Sequence, residues 1–392
     1  MESPMPETIP KAVPETTPGP IGEPIPETVG ASLAALGISR RALLKYATRL
    51  ATLMALEPLA APAMAEALAR AKRQSVIWLS FQECTGCTES LTRSFSPTLE
   101  DMIFNLISLD YHETLMAVSG AAAEAARLSA MEANRGQYVV VVDGSVSTRD
   151  GGVYSAGAGK THLDILRETV SGARAVIAVG TCASFGGIPR ARPDPTGAAA
   201  VAEIVTTKPV VNIPGCPPIP EAMAGTIAYL ITFGKLPPLD DKNRPLSFFG
   251  DTIHDRCYRR PFYDRGLFAK SFDDEGARNG WCLYELGCKG PVTYNACATV
   301  KWNGGLSFPI QSGHGCLGCS EPGFWDRGGF YTPLPARTFR GGAVPAAAAA
   351  AGVAAGLGSA WLTRRRRQKA AEEMRAAETQ DGKPQEQKET LP

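Results

Sequence analysis

The chain has 392 residues, room for two domains, and its 44% hydrophobic and 20% charged composition excludes a wholly disordered protein. Forty Lys+Arg against 39 Asp+Glu leave a net charge of +1, which offers no electrostatic case for nucleic-acid binding. Ten cysteines stand against only four histidines, so the chemistry is sought at sulfur.

Residues 1–35 form a proline-rich extension with repeats of the type Pro-Glu-Thr, which buries too little apolar surface to offset chain entropy and is predicted to be disordered. Residues 36–69 begin with Ser39-Arg40-Arg41-Ala42-Leu43-Leu44-Lys45, followed by a mainly apolar stretch to about Leu59 and then small residues (Ala61, Ala63, Ala65, Ala69). This is the pattern of a twin-arginine export signal with an Ala-x-Ala-like cleavage region; an amphipathic surface helix with a chance arginine pair is the alternative. That route exports folded proteins, which suits a chain that acquires a cofactor in the cytoplasm.

Between residues 70 and 236, short β-branched runs alternate with helical patterns. Strands are predicted at Ser75–Leu79, Asn105–Leu109, Tyr138–Val142, Ala175–Val179 and Pro209–Ile213, and helices at Ser90–Asn105, Ala121–Ala133, His162–Ser171 and Pro220–Phe233. Such alternation reads as α/β, a flavodoxin-like doubly wound parallel sheet. A boundary is expected near Lys235-Leu236-Pro237-Pro238. Residues 237–340 lack strand periodicity, are rich in glycine and aromatic residues, and read as an irregular domain stabilised by bound clusters. The 23 residues 341–363 carry no charge, enough for a transmembrane helix across about 30 Å of hydrocarbon. A flexible Ala/Gly linker is the other reading. Arg364 to Arg367 and Lys369 in the tail (364–392) place the C-terminus in the cytoplasm if the stretch spans.

The cysteines fall where a doubly wound sheet binds ligands. Cys84 and Cys87 follow the first strand, Cys182 follows the fourth and Cys216 the fifth, all at carboxyl ends. His254-x2-Cys257, Cys282, Cys288, Cys297 and Cys316-x2-Cys319 follow in the irregular part. Three chemistries compete. Disulfides are allowed by an even cysteine number in an exported chain, but two Cys-x2-Cys pairs suit a shared metal better. Zinc usually takes paired Cys-x2-Cys units separated by a spacer, whereas here Cys84 and Cys87 are completed by distant single cysteines. Iron–sulfur clusters take thiolates with an occasional histidine, and ten cysteines plus His254 divide as four, four and three.

The motifs Glu83-Cys84-Thr85-Gly86-Cys87-Thr88-Glu89-Ser90, Gly180-Thr181-Cys182-Ala183-Ser184 and Pro214-Gly215-Cys216-Pro217-Pro218 resemble the small subunit of membrane-bound, uptake-type nickel-iron hydrogenases. So do His254-Asp255-Arg256-Cys257-Tyr258-Arg259-Arg260-Pro261, Gly287-Cys288-Lys289-Gly290-Pro291 and the run from Ser312 to Asp326. The resemblance spans roughly residues 36–340. It implies a proximal [4Fe-4S] cluster on Cys84, Cys87, Cys182 and Cys216, and a distal [4Fe-4S] cluster on His254, Cys257, Cys282 and Cys288. It also implies a medial [3Fe-4S] cluster on Cys297, Cys316 and Cys319, with Pro309 where a four-iron version would offer another thiol. It further implies a nickel-iron centre in a separate large subunit, a membrane cytochrome b that passes electrons to quinone, and no catalytic residue in this chain. Exported by the twin-arginine route, the protein would lie on the periplasmic side of the inner (cytoplasmic) membrane, tied to lipid by its C-terminal helix. Oxygen-tolerant relatives carry extra cysteines at the positions of Gly86 and Gly187, so an ordinary, oxygen-sensitive proximal cluster is implied. A related quinone-oxidoreductase subunit shares only the first cluster region, and the second cysteine region argues against it.

Other polar residues have plainer readings. Glu83 either assists proton movement or caps the following turn. His314 either bonds near the medial cluster or fixes its glycine turn, while His112 and His162 read as packing. Arg259, Arg260 and Arg265 either form a docking face near the distal cluster or pair with Asp255 and Asp264, with pairing the expectation, and Phe185, Trp281 and Trp302 are expected to wall the clusters from water.

Overall fold

Five β-branched runs become the strands of one sheet: β1 (Gln74–Ser80), β2 (Ile107–His112), β3 (Val139–Asp143), β4 (Ala175–Val179) and β5 (Val210–Ile213). The order is β2-β1-β3-β4-β5 and every neighbouring pair is parallel, the flavodoxin-like order read from the alternation. The computed structural model describes residues 28–35, 40–53, 57 and 60–334, all within one compact unit ending at Leu334. The extension before residue 28, the stretch 341–363 and the tail lie outside the described residues. Among the described residues no helix is long and apolar enough to cross a membrane.

Alternating strand residues feed two cores. Val76, Trp78, Val139, Val141, Ile177, Val179, Val211 and Ile213 face one layer, which includes Met223, Ile227 and Leu230 of a central helix. Ile77, Leu79, Val140, Val142, Val176 and Ala178 face the other, packed on Leu163, Leu166 and Val170. Burial on both faces explains why β3 reads as an unbroken apolar run.

The main helices are α1 (Arg40–Leu53), α2 (Ala60–Arg70), α3 (Gly86–Thr92), α4 (Gly120–Ala133), α5 (His162–Ser171), α6 (Gly180–Phe185) and α7 (Pro220–Phe233); ahead of them Val29–Ala35, within the stretch read as disordered, forms a short helix because Val29 and Leu33 bury in the first core. Helix α5 starts where the Thr161 side chain accepts the Asp164 amide at 3.1 Å. Proline at its first turn opens α7, and Gly234, left-handed at φ 62°, closes it. Nearly every residue of α7 is buried, because the sheet covers one side and other elements cover the rest. Among these are α1 and α2: Ala47, Ala51, Ala61 and Met64 pack on Ala228 and Tyr229 of α7.

One helix differs from expectation. The predicted Ser90–Asn105 helix breaks after Thr92, and the chain re-enters as a short turn at Leu99–Asp101 and a π-helical turn at Met102–Leu106. Pro97 supplies no amide and disfavours helix at Ser96, which ends the helical run. Consequently β2 begins at Ile107 rather than Asn105. Beyond α7 the described chain forms only short helices, 3-10 turns and isolated bridges, as the loss of periodicity suggested.

Candidate metal centres

The first group of thiols sits at the carboxyl edge of the sheet. Cys84 and Cys87 lie where β1 turns into α3, Cys182 is in α6 directly after β4, and Cys216 follows β5. All four line one cavity of about 320 Å³ together with Glu83, Gly86, Gly144, Thr181 and Gly215. Glycines make the space. A Cβ on Gly180 (φ +85°) would lie 2.5 Å from Cys87 Sγ, and one on Gly187 (φ +56°) 2.6 Å from Cys182 Sγ. Thr85 is itself left-handed, at φ 64°, so the turn between the paired cysteines is held strained.

Electrostatics says what this cavity lacks. Burial pushes the Cys87 thiol well above its ordinary pKa, and the charges of Asp143, Cys182, Cys216 and Cys84 push it further. Burial likewise raises Cys182 to about 11 and Cys216 to about 12. Thiolates gathered in a dry pocket repel one another, and a multivalent cation among them reverses that cost. The cavity therefore fits a thiolate-bound metal group. Among the described residues no group of three or more His, Cys, Asp or Glu side chains closes around a single ion. All ten cysteines are free thiols, against the disulfide alternative.

The second group is Cys297, Cys316 and Cys319. Burial raises the Cys316 thiol, and the charges of Cys288, Cys319 and Cys297 add to it. The Gly318 amide donates to Cys316 Sγ at 3.4 Å, the Cys297 thiol donates to Asn295 Oδ1 at 3.3 Å, and burial raises the Cys319 thiol as well. The third group is Cys257, Cys282 and Cys288, whose thiols also raise one another after burial. The Arg259 amide donates to Cys257 Sγ at 3.4 Å. His254 starts a 3-10 turn in the same neighbourhood: a Cβ on Gly290 would meet both Cys288 Sγ (3.4 Å) and the His254 backbone nitrogen (3.7 Å). Burial, then Arg260, lowers the His254 pKa, which favours the neutral imidazole that binds metal. Tyr263 meets the ring edge-on at 4.5 Å.

The three groups are contiguous. The hydroxyl of Thr181, next to Cys182, donates to the Cys319 carbonyl and joins the first to the second, and the Cys316 amide on Cys288 Sγ, at 3.3 Å, joins the second to the third.

Two family patterns match this chain. Residues 84–230 match the NADH ubiquinone oxidoreductase 20 kDa subunit, and residues 249–332 match the C-terminal region of NiFe/NiFeSe hydrogenase small subunits. The uptake hydrogenase small subunit of Azotobacter vinelandii is 49% identical over 324 residues, 83% of this chain and 90% of that relative. The chain belongs to the nickel-iron hydrogenase small subunits. The hydrogenase-1 small chain of Citrobacter freundii is 50% identical over 296 residues, 76% of this chain and 79% of its own length. A solved chain of the reduced, active Ni-Fe-Se hydrogenase from Desulfomicrobium baculatum superposes with a TM-score of 0.63 at 37% identity, covering 67% of this chain and all of that one. As a hydrogenase small subunit the protein is the electron-transfer half of an oxidoreductase, the partner of a large subunit.

Several neighbouring residues of this small subunit do other work than the sequence suggested. Glu83 makes no helix cap: its Oε1 accepts the Thr85 hydroxyl at 3.3 Å and its Oε2 is buried without a partner, so burial, aided by Asp143, raises its pKa to about 7. Arg260 pairs with Asp255 (3.0 Å) and Asp264 (3.7 Å) as expected. Arg259 does not pair with either; buried, it donates to the Trp281 carbonyl at 2.7 Å and the Tyr258 hydroxyl at 2.8 Å. Phe185 faces a separate cavity with Arg190, Asn212 and Trp325 rather than the first thiol group. His314 is a turn residue, its Nδ1 2.8 Å from the Gly315 carbonyl oxygen and its ring against Phe272 and Tyr331. His112 stacks on Trp78 and His162 on Phe81, both packing as expected. Pro309 is exposed, its carbonyl accepting the His314 amide at 2.9 Å.

Sequence reasoning missed Asp143, Thr181 and Arg244. Asp143 is fully buried at the end of β3, takes a bond from the Thr88 hydroxyl at 3.2 Å, and has its pKa raised by burial. The single acid closing an apolar strand was the available signal. Arg244 had none, for its partners are remote in sequence.

Proposed function

We propose that this protein carries single electrons from hydrogen oxidation in its large subunit through three iron–sulfur clusters to a membrane cytochrome b and quinone. The observation that carries this reading is the hydrogen-bonded run from the first thiol group through the second to the third. Cys84, Cys87, Cys182 and Cys216 would hold a proximal [4Fe-4S] cluster, Cys297, Cys316 and Cys319 a medial [3Fe-4S] cluster, and His254, Cys257, Cys282 and Cys288 a distal [4Fe-4S] cluster. Bound there, the clusters supply one-electron chemistry. The protein's part is to exclude water, hold the thiolates and set their electronic environment through amide donors.

The address is part of the proposal. The Arg40-Arg41 pair supports twin-arginine export, and the uncharged stretch 341–363 supports a transmembrane anchor in lipid with its basic flank in the cytoplasm. Together they put the folded protein on the periplasmic side of the inner membrane, with residues 70–236 carrying the proximal cluster and 237–340 the other two.

Anaerobically purified protein should contain about eleven irons per chain with matching labile sulfide, and a [3Fe-4S] signal in the oxidised state. Zinc in their place, or no metal, overturns the reading. One substitution probes the relay's distal end. His254→Ala should impair hydrogen oxidation with an external acceptor while hydrogen isotope exchange in the large subunit persists; loss of both together would mean the distal site serves assembly.

A further inference from the structure

Thr181 stands where ligand-bearing loops meet, one residue before Cys182, and is 1% exposed. Its amide donates to the Gly215 carbonyl at 2.9 Å, and its hydroxyl accepts the Gly215 amide at 2.9 Å, gripping the loop that carries Cys216. The same hydroxyl donates to the Cys319 carbonyl. Buried threonines elsewhere in this fold, Thr226 and Thr232, return their hydroxyls to carbonyls four residues back in their own helix, at 2.7 Å in both cases. Thr181 instead spans 138 residues of sequence to the second thiol group. This tie is the hydrogen-bonded link from the first group to the second.

We propose that Thr181 is the positioning residue for electron transfer between the first and second thiol groups, its hydroxyl fixing the loop of Cys216 against that of Cys319 so that this tie is the crossing point. The proposal rests on the iron–sulfur reading above. Each crossing moves one electron, and two crossings drain one hydrogen molecule, whose two protons remain with the large subunit. A one-electron dye beyond the third group takes up both electrons. The hydroxyl is the only polar group of the side chain, so valine of nearly the same shape removes both of its bonds at once. The gap between the two ligand loops is then unfixed.

The test uses the purified complex of both subunits. Thr181→Val should lower hydrogen oxidation with a viologen dye about tenfold, the low end for residues supporting metal ligands. Isotope exchange and iron per chain should stay at wild-type levels, and the magnetic interaction between the first two centres should weaken in the electron paramagnetic resonance spectrum. Thr181→Ser, which keeps the hydroxyl, should restore both throughput and coupling. Wild-type throughput in Thr181→Val overturns the proposal. So does loss of iron or of isotope exchange in step with oxidation, which assigns Thr181 to assembly. A wild-type complex without iron would instead overturn the reading beneath it.

Discussion

Replacing Arg244 with methionine should cost about 3–5 kcal/mol of stability, the range for breaking a buried ion pair from one side. Arg244 is 1% exposed. Its Nε donates to Asp240 Oδ2 at 2.8 Å and its Nη1 to Glu321 Oε1 at 2.9 Å, while the guanidinium lies over the rings of Tyr294 and Phe249. Glu321 Oε1 also accepts the Tyr294 amide at 2.8 Å. Tyr294 precedes Cys297 by three residues and Glu321 follows Cys319 by two, so this one cation clamps both loops of the second thiol group. Methionine fills much of the volume but leaves Glu321, itself 5% exposed, charged and uncompensated. Denaturant unfolding of the anaerobic protein reads the loss, and iron should leave the second group first on mild heating. Lysine keeps the charge without the planar fork and should fall between the two. Adding Glu321→Gln to Arg244→Met should recover part of the loss, since the stranded charge is then gone. A cost below about 1 kcal/mol, the scale of an exposed pair, would show that the clamp is not needed.

Gly180→Ala should empty the first site while leaving the sheet standing. Gly180 is left-handed at φ +85°, where an L side chain is strained by about 1–3 kcal/mol, and its new Cβ would lie 2.5 Å from Cys87 Sγ. That contact is shorter than any real carbon neighbour tolerates, so the Cys87 thiol must leave its place in the cavity. About four irons per chain should be missing, with the signals of the second and third groups retained. Electrons then have no entry, and dye-linked hydrogen oxidation should be lost. Circular dichroism should still report the α/β fold, because β4 ends at Val179, before the substituted residue. Full iron content in this variant would show that the cavity has slack that the geometry denies.

Much of this protein was legible in its chain order. Period and β-branching placed β4, α5 and α7 at their observed bounds, because a strand buried on both faces and a helix with clear ends carry local signals. The positions of Cys84, Cys87, Cys182 and Cys216 after strands announced a shared crevice, since parallel strands deliver all their carboxyl ends to one edge. Spacing alone left disulfide, zinc and iron open. The helix predicted through Pro97 failed where a local rule outweighed an apolar pattern.

The amino-acid order by itself determined the strands, the main helices and the candidate thiols at the strand ends, because each depends on residues near one another along the chain. Only the tertiary structure decided which group touches which, that Thr181 ties Gly215 to Cys319, and that Arg244 reaches Glu321 across 77 residues. Those choices are made by burial. A polar side chain taken out of water bonds to whatever donor or acceptor the packing brings within reach, and no periodicity records that partner beforehand.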